Sequence, residues 1–134
     1  MKTKQKIFFA KIIYKFIRIF FPEKIKVKRN NIEWNLNLSE AIDLHIFVFG
    51  SFEKEITNIA KKLQLQKHDQ IIDIGANFGV QSLQFAKNFN DSKIYSIEPT
   101  NYAFDKLIKN LELNPKLSKN IYPFQIFLGS KEKE

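Results

Sequence analysis

The stretch Gln70-Ile71-Ile72-Asp73-Ile74-Gly75-Ala76-Asn77-Phe78-Gly79 constrains this chain more than any other. Ile71, Ile72 and Ile74 form an apolar run too short for a typical helix and bounded by turn residues. Such a run predicts a buried strand of a parallel sheet. Two glycines four apart follow at once, and Val80-Gln81-Ser82-Leu83-Gln84-Phe85-Ala86 then has a helical pattern. A strand, a glycine turn and a helix make the nucleotide-facing corner of a doubly wound α/β fold. Glycine suits the turn because the backbone there takes conformations, and approaches a ligand, in ways that a Cβ would block.

At 134 residues the chain is at most one domain with a real core. It has no cysteine, which excludes disulfides and thiolate metal sites. His45 and His68 lie far apart without acidic or histidine partners at ligand spacing, so packing or surface roles are expected and no metal site. The net charge of +8 is uneven: residues 1–30 hold ten Lys/Arg against Glu23 alone, and the remainder is close to neutral. Basicity confined to one end is not the footprint of a chain that binds nucleic acid along its length.

Within that basic end, Lys11, Lys15 and Arg18 fall at i, i+4 and i+7, while Phe8, Phe9, Ile12, Ile13, Phe16, Ile19 and Phe20 cover the rest of a helix. The apolar runs are too short to span a bilayer, which takes about 20 residues. Lysines break any signal-like apolar core, and no small-residue cleavage site follows. A cytoplasmic chain is expected. Residues 1–21 then read either as a basic amphipathic helix, peripheral on an anionic membrane surface, or as a helix packed on protein with solvated lysines. Pro22 ends the helix in both readings.

Ile25, Val27, Ile32, Trp34, Leu36 and Leu38 alternate with polar residues around Asn30-Asn31, which predicts a β-hairpin with a tight turn. Trp34 on its apolar face reads as core rather than as a ligand platform. Ala41 to Phe49 is apolar without a clear period. Phe52, Ile56, Ile59, Ala60 and Leu63 predict an amphipathic helix that leads through Lys67-His68-Asp69 into the glycine-turn strand. Lys93 to Ile97 predicts a second strand, and Thr100 or Asn101 can cap the helix that follows. That helix carries Phe104, Leu107, Ile108 and Leu111 on its core face, and Asn114-Pro115 stops it. Ile121 to Leu128 predicts a third strand, at an edge because of Pro123.

The chemistry gathers around Asp73, Gly75, Ala76, Asn77, Gly79 and Glu98, the last lying 23 residues after Gly75 at the end of the second strand. An acid at about that distance accepts hydrogen bonds from ribose hydroxyls in doubly wound folds. The two oxygens of one carboxylate suit two neighbouring hydroxyls. The spacing Asp-x-Gly-x-x-x-Gly matches neither the dinucleotide fingerprint nor the phosphate loop, and no lysine follows it. A cofactor with a ribose but no pyrophosphate is expected, and S-adenosylmethionine fits.

Asp73-Ile74-Gly75-Ala76-Asn77-Phe78-Gly79, Ile97-Glu98-Pro99 and Asn110-Leu111-Glu112-Leu113-Asn114 together resemble the FkbM-type group of class I S-adenosylmethionine-dependent methyltransferases. Gly50-Ser51-Phe52-Glu53 resembles that group's lead-in, and the likeness covers roughly residues 40–130. It implies a Rossmann-like α/β methyltransferase sheet, preceded here by the hairpin and the N-terminal amphipathic helix. Residues 1–22 would be the helix and 23–134 the N-terminal portion of the methyltransferase domain. It further implies methyl transfer to a hydroxyl of a sugar or other small-molecule acceptor. The family's sheet has seven strands with the first one central, and this chain stops after the third. The cofactor half is therefore expected alone, its open sheet edge exposed to oligomerisation. The alternative is a non-catalytic fragment or interaction module. The later strands carry most of the family's catalytic residues, so none is assigned here. Asp105, Glu112, His68 and Tyr102 are available but read as surface or packing residues.

Overall fold

The computed structural model describes residues 3–63 and 69–129, and side chains from residue 12 onward. His68 and the charged tail 131–134 lie outside the described residues. The chain forms two compact units that divide between Phe52 and Glu53.

The first unit runs α1 (Thr3–Phe20), β1 (Lys24–Arg29), β2 (Ile32–Asn37) and α2 (Ala41–Phe49). β1 and β2 pair antiparallel with Arg29 opposite Ile32, so Asn30 and Asn31 alone make the turn. Both have positive φ, 49° and 58°, the pairing that a two-residue hairpin turn requires and that asparagine tolerates. Ile32, Trp34 and Leu36 alternate inward and are buried with Leu38, Leu44, Ile46 and Phe47. Trp34 is thus core. The segment without a clear period, 41–49, is helical: one face is buried in this core, and Gly50 closes it by donating its N–H to the Ile46 carbonyl.

The second unit runs α3 (Lys54–Lys62), β3 (Gln70–Ile74), α4 (Val80–Asn88), β4 (Lys93–Ile97), α5 (Asn101–Leu113), α6 (Pro115–Ser118) and β5 (Ile121–Phe124). The three strands form a parallel sheet in the order β3-β4-β5. Proline takes the first position of α6, where its missing N–H costs nothing. β5 lies at an edge, as Pro123 requires, but its pairing ends at Phe124 rather than at Leu128. The period of α3 predicts the helix correctly and its burial incorrectly. Ile56, Ile59 and Leu63 are exposed, and Thr57 is the residue that α3 buries.

The two faces of the sheet differ. One meets α4, whose Leu83, Phe85 and Ala86 are buried, and it contributes Ile94, Ser96 and Ile121 to the core. The other carries the register rows Ile72–Tyr95–Tyr122 and Ile74–Ile97–Phe124. Ile72 and Ile74 are 63% and 68% exposed. Tyr95 stacks on Tyr122 at 5.4 Å, which covers only part of the row. Parallel sheets are ordinarily covered on both faces, so this face is an apolar surface in search of a cover.

Replacing Ile72 and Phe124 with threonine keeps strand propensity and removes exposed apolar area. Sedimentation velocity should show less self-association, with stability within about 0.5 kcal/mol of the parent, as for exposed sites generally. A large loss of stability would mean that the face is buried in the isolated chain.

Candidate functional site

The site forms where the chain leaves β3 and β4 at their carboxyl ends. Three successive amides of the glycine turn converge on the end of β4. Gly75 and Ala76 both donate to the Ile97 carbonyl, at 2.8 and 2.9 Å. Asn77 donates to Glu98 Oε2 at 2.9 Å. The turn reaches this geometry because Gly75, Asn77 and Gly79 all have positive φ, at 76°, 51° and 89°.

The two glycines differ in what they face. A Cβ on Gly75 would meet nothing within 4 Å, so its bare α-carbon borders open space at the strand ends. A Cβ on Gly79 would stand 2.6 Å from Leu107 Cδ1. Gly79, expected from sequence among the cofactor contacts, is buried against α5 and starts α4. Its place in the site is to set the turn. Ala76 is likewise buried, whereas Asn77 is exposed.

Glu98 is buried and already well supplied with donors. Besides the Asn77 amide, its Oε1 accepts from the Thr100 amide at 3.0 Å and from Thr100 Oγ1 at 2.6 Å. Thr100 occupies the N-cap position of α5 but makes no side-chain cap bond, because its hydroxyl serves Glu98 instead. Burial pushes the Glu98 carboxyl up, but the hydrogen bonds from Thr100 and Asn77 outweigh it and hold the group below its ordinary 4.5.

Asp73 does not point to the open rim. Its Oδ2 accepts from Ser82 Oγ of α4 at 2.5 Å, and Ser82 Oγ accepts from Ser96 Oγ of β4 at 2.7 Å. Ser96 is also its register partner across the sheet. Burial raises the Asp73 carboxyl above its ordinary 3.8, and the Ser82 bonds offset this only in part. The hydroxyl chain ties strand, helix and neighbouring strand together under the turn.

A further clasp comes from α5. Asn110 is fully buried and donates its side-chain amide to the Phe78 carbonyl at 2.9 Å. Asn114 donates in turn to the Asn110 carbonyl at 2.8 Å. Lys106 sets its ammonium 4.2 Å from the centre of the Phe78 ring. Sequence reasoning quoted Asn110 and Asn114 as a motif without a role, and it missed Ser82, Ser96 and Thr100. Parity offered one signal: Ser96 and Ile94 alternate onto the same side of β4, the side that is buried. Asp105, Glu112 and Tyr102 are exposed on α5. Among the described residues no group of three His, Cys, Asp or Glu could hold a metal ion.

No family model matches the chain. It is 42% identical over 97 residues to the protein named methyltransferase sdnD of Sordaria araneosa, an alignment covering 72% of this chain and 35% of that one. The chain spans 57% and 35% of the lengths of two curated relatives. The structure of P. horikoshii TYW2 in complex with MeSAdo superposes with a TM-score of 0.59 at 17% identity, covering 94% of this chain and 50% of that one. A SAM-dependent methyltransferase from Agrobacterium tumefaciens gives 0.54 at 12% identity, covering 78% and 33%. The fold is therefore of the class I methyltransferase type. β3, the glycine turn, β4 and Glu98 form its first βαβ corner.

The two carboxyls give opposite pH signatures. A raised folded value for Asp73 means stability is lost as pH climbs from about 3.8. A lowered folded value for Glu98 means its stabilisation is present above 4.5 and lost as pH falls below that. Asp73→Asn keeps an acceptor for Ser82 and should be no less stable than the parent at pH 7. Glu98→Gln should lose part of the acid-side dependence. Denaturant midpoints across acid to neutral pH check both.

Proposed function

We propose that this chain holds S-adenosylmethionine at the glycine turn and forms the cofactor half of a methyltransferase acting on a small-molecule hydroxyl. The observation that carries the reading is the juxtaposition of a Cβ-free rim at Gly75 with the Glu98 carboxylate, coupled through the Asn77 amide. The residues fit such a group. A carboxylate offers about four acceptor positions, and three donors from Asn77 and Thr100 leave capacity at Glu98. A ribose diol would take the remaining position and displace the Thr100 hydroxyl, the donor most free to rotate away.

In this reading Glu98 anchors the ribose and Gly75 lets the cofactor lie close to the backbone. Ala76 and Asn77 shape the rim, while Asp73 and Gly79 hold the turn from beneath. The bound cofactor supplies an electrophilic sulfonium methyl group. The protein's contribution is to fix its direction toward the acceptor oxygen. The FkbM-type assignment and the sugar-like acceptor rest on the motif residues quoted from the sequence. The relative named a methyltransferase supports the reaction class.

The bare sheet face favours a second reading for the described chain by itself: a cofactor-binding portion that lacks a catalytic base. Additional βα units packed over Ile72, Ile74 and Phe124 would then supply the acceptor pocket.

Calorimetric titration with S-adenosylhomocysteine tests the assignment. Glu98→Ala should weaken binding by about 1.5–3 kcal/mol, the range for hydrogen bonds to a charged group. Gly75→Asn, a residue that tolerates the positive φ of this position, should weaken binding by filling the rim. Gly79→Val is a poor probe, since its clash with Leu107 would disturb the fold itself. Equal affinity in the parent and in the Glu98 and Gly75 variants would overturn the reading.

A further inference from the structure

α1 turns its apolar stripe outward. Ile12, Ile13, Phe16, Ile19 and Phe20 are all exposed, the last three at 67%, 70% and 74%. At helical periodicity these positions fall on one stripe about 120° wide. Tyr14, Ile17 and Arg18, on the other side of the helix, are half-buried. A helix of an ordinary globular domain shows the reverse arrangement.

The same unit is strongly basic. Residues 1–52 carry ten Lys/Arg and four acids, with all ten cations and only Glu23 of the acids within residues 1–30. Lys15 is exposed on α1, and Lys24, Lys26 and Lys28 are exposed at alternate positions of β1, making one row along the hairpin. Lys28 reaches Glu33 at 3.9 Å across the hairpin, an exposed pair that neutralises little. Lysines on an edge strand also deter sheet-to-sheet pairing, but that role gives no account of the exposed apolar stripe of α1. Among the described residues no helix is long and apolar enough to cross a membrane.

From this combination we infer that the first unit docks on an anionic membrane surface. α1 lies in the interface with Phe16, Ile19 and Phe20 among the acyl chains, and Lys15 and the β1 row meet lipid headgroups. Charge decides against the other occupants. A second copy would bring one strongly basic unit against another, a repulsion that complementary interfaces avoid. A nucleic acid would satisfy the cations but leave the aliphatic stripe in water, since its phosphates offer nothing for isoleucine to bury against.

The test is flotation of the full chain with vesicles of phosphatidylcholine alone and of phosphatidylcholine mixed with phosphatidylglycerol. The chain should float with the anionic vesicles only and be released by salt. Replacing Lys24, Lys26 and Lys28 with glutamine should lower partitioning on the order of a hundredfold, as for three near-surface cations. Phe16→Ser with Phe20→Ser should abolish flotation even at low salt. The buried emission of Trp34, the single tryptophan, reports that the unit remains folded in every variant. Equal flotation with neutral vesicles, no flotation, or flotation unchanged by these substitutions would overturn the inference.

Discussion

The hydrogen bonds from the glycine turn to the end of β4 are the constraint on which the candidate site depends. Three consecutive amides cannot point at one strand terminus in a helix or a strand. They do so here because the turn takes positive φ at Gly75, Asn77 and Gly79. Two of the donors meet a backbone carbonyl and the third meets a carboxylate, so one end of the array is fixed and the other is exchangeable. Beneath it, the Ser96–Ser82–Asp73 hydroxyl chain and the Asn110 amide brace the turn from the sheet and from α5. Ser82, Ser96 and Asn110 are buried, where an unmade hydrogen bond costs about 1–3 kcal/mol.

Such an arrangement separates two tasks that a sequence motif runs together. Asp-x-Gly-x-x-x-Gly reads as a set of ligand contacts, yet of its three fixed residues it is Gly75 that faces open space. Asp73 and Gly79 face α4 and α5, and their identity is explained by packing and by backbone conformation. The strand, the turn, the helix and the acid-tipped second strand were all legible, because each rests on local periodicity or on the conformational demands of glycine. The direction of the Asp73 side chain was not legible, since it depends on Ser82 arriving from the following helix. The double use of Thr100 was hidden for the same reason: a residue at an N-cap position ordinarily serves its own helix.

Burial was the least legible property. The sequence of α3 has a well-formed apolar stripe, and so does α1, but in both the stripe is exposed. Period identifies a helix and its faces; it does not say what covers them. The Ile72–Tyr95–Tyr122 row makes the same point for the sheet, whose apolar strands were read as buried on both sides. The chain thus combines a well hydrogen-bonded turn with exposed apolar faces.

In the proposed function, the Glu98 end of the array is the part that a ligand engages. Backbone amide spectra recorded during titration with S-adenosylhomocysteine test this most directly. The resonances of Gly75, Asn77 and Thr100 should move most, as ribose hydroxyls compete for the carboxylate, while the Asn110 side-chain amide keeps its Phe78 partner and its shift. Saturable binding that leaves Gly75, Asn77 and Thr100 unmoved would contradict the account, because the ligand would then sit away from the turn.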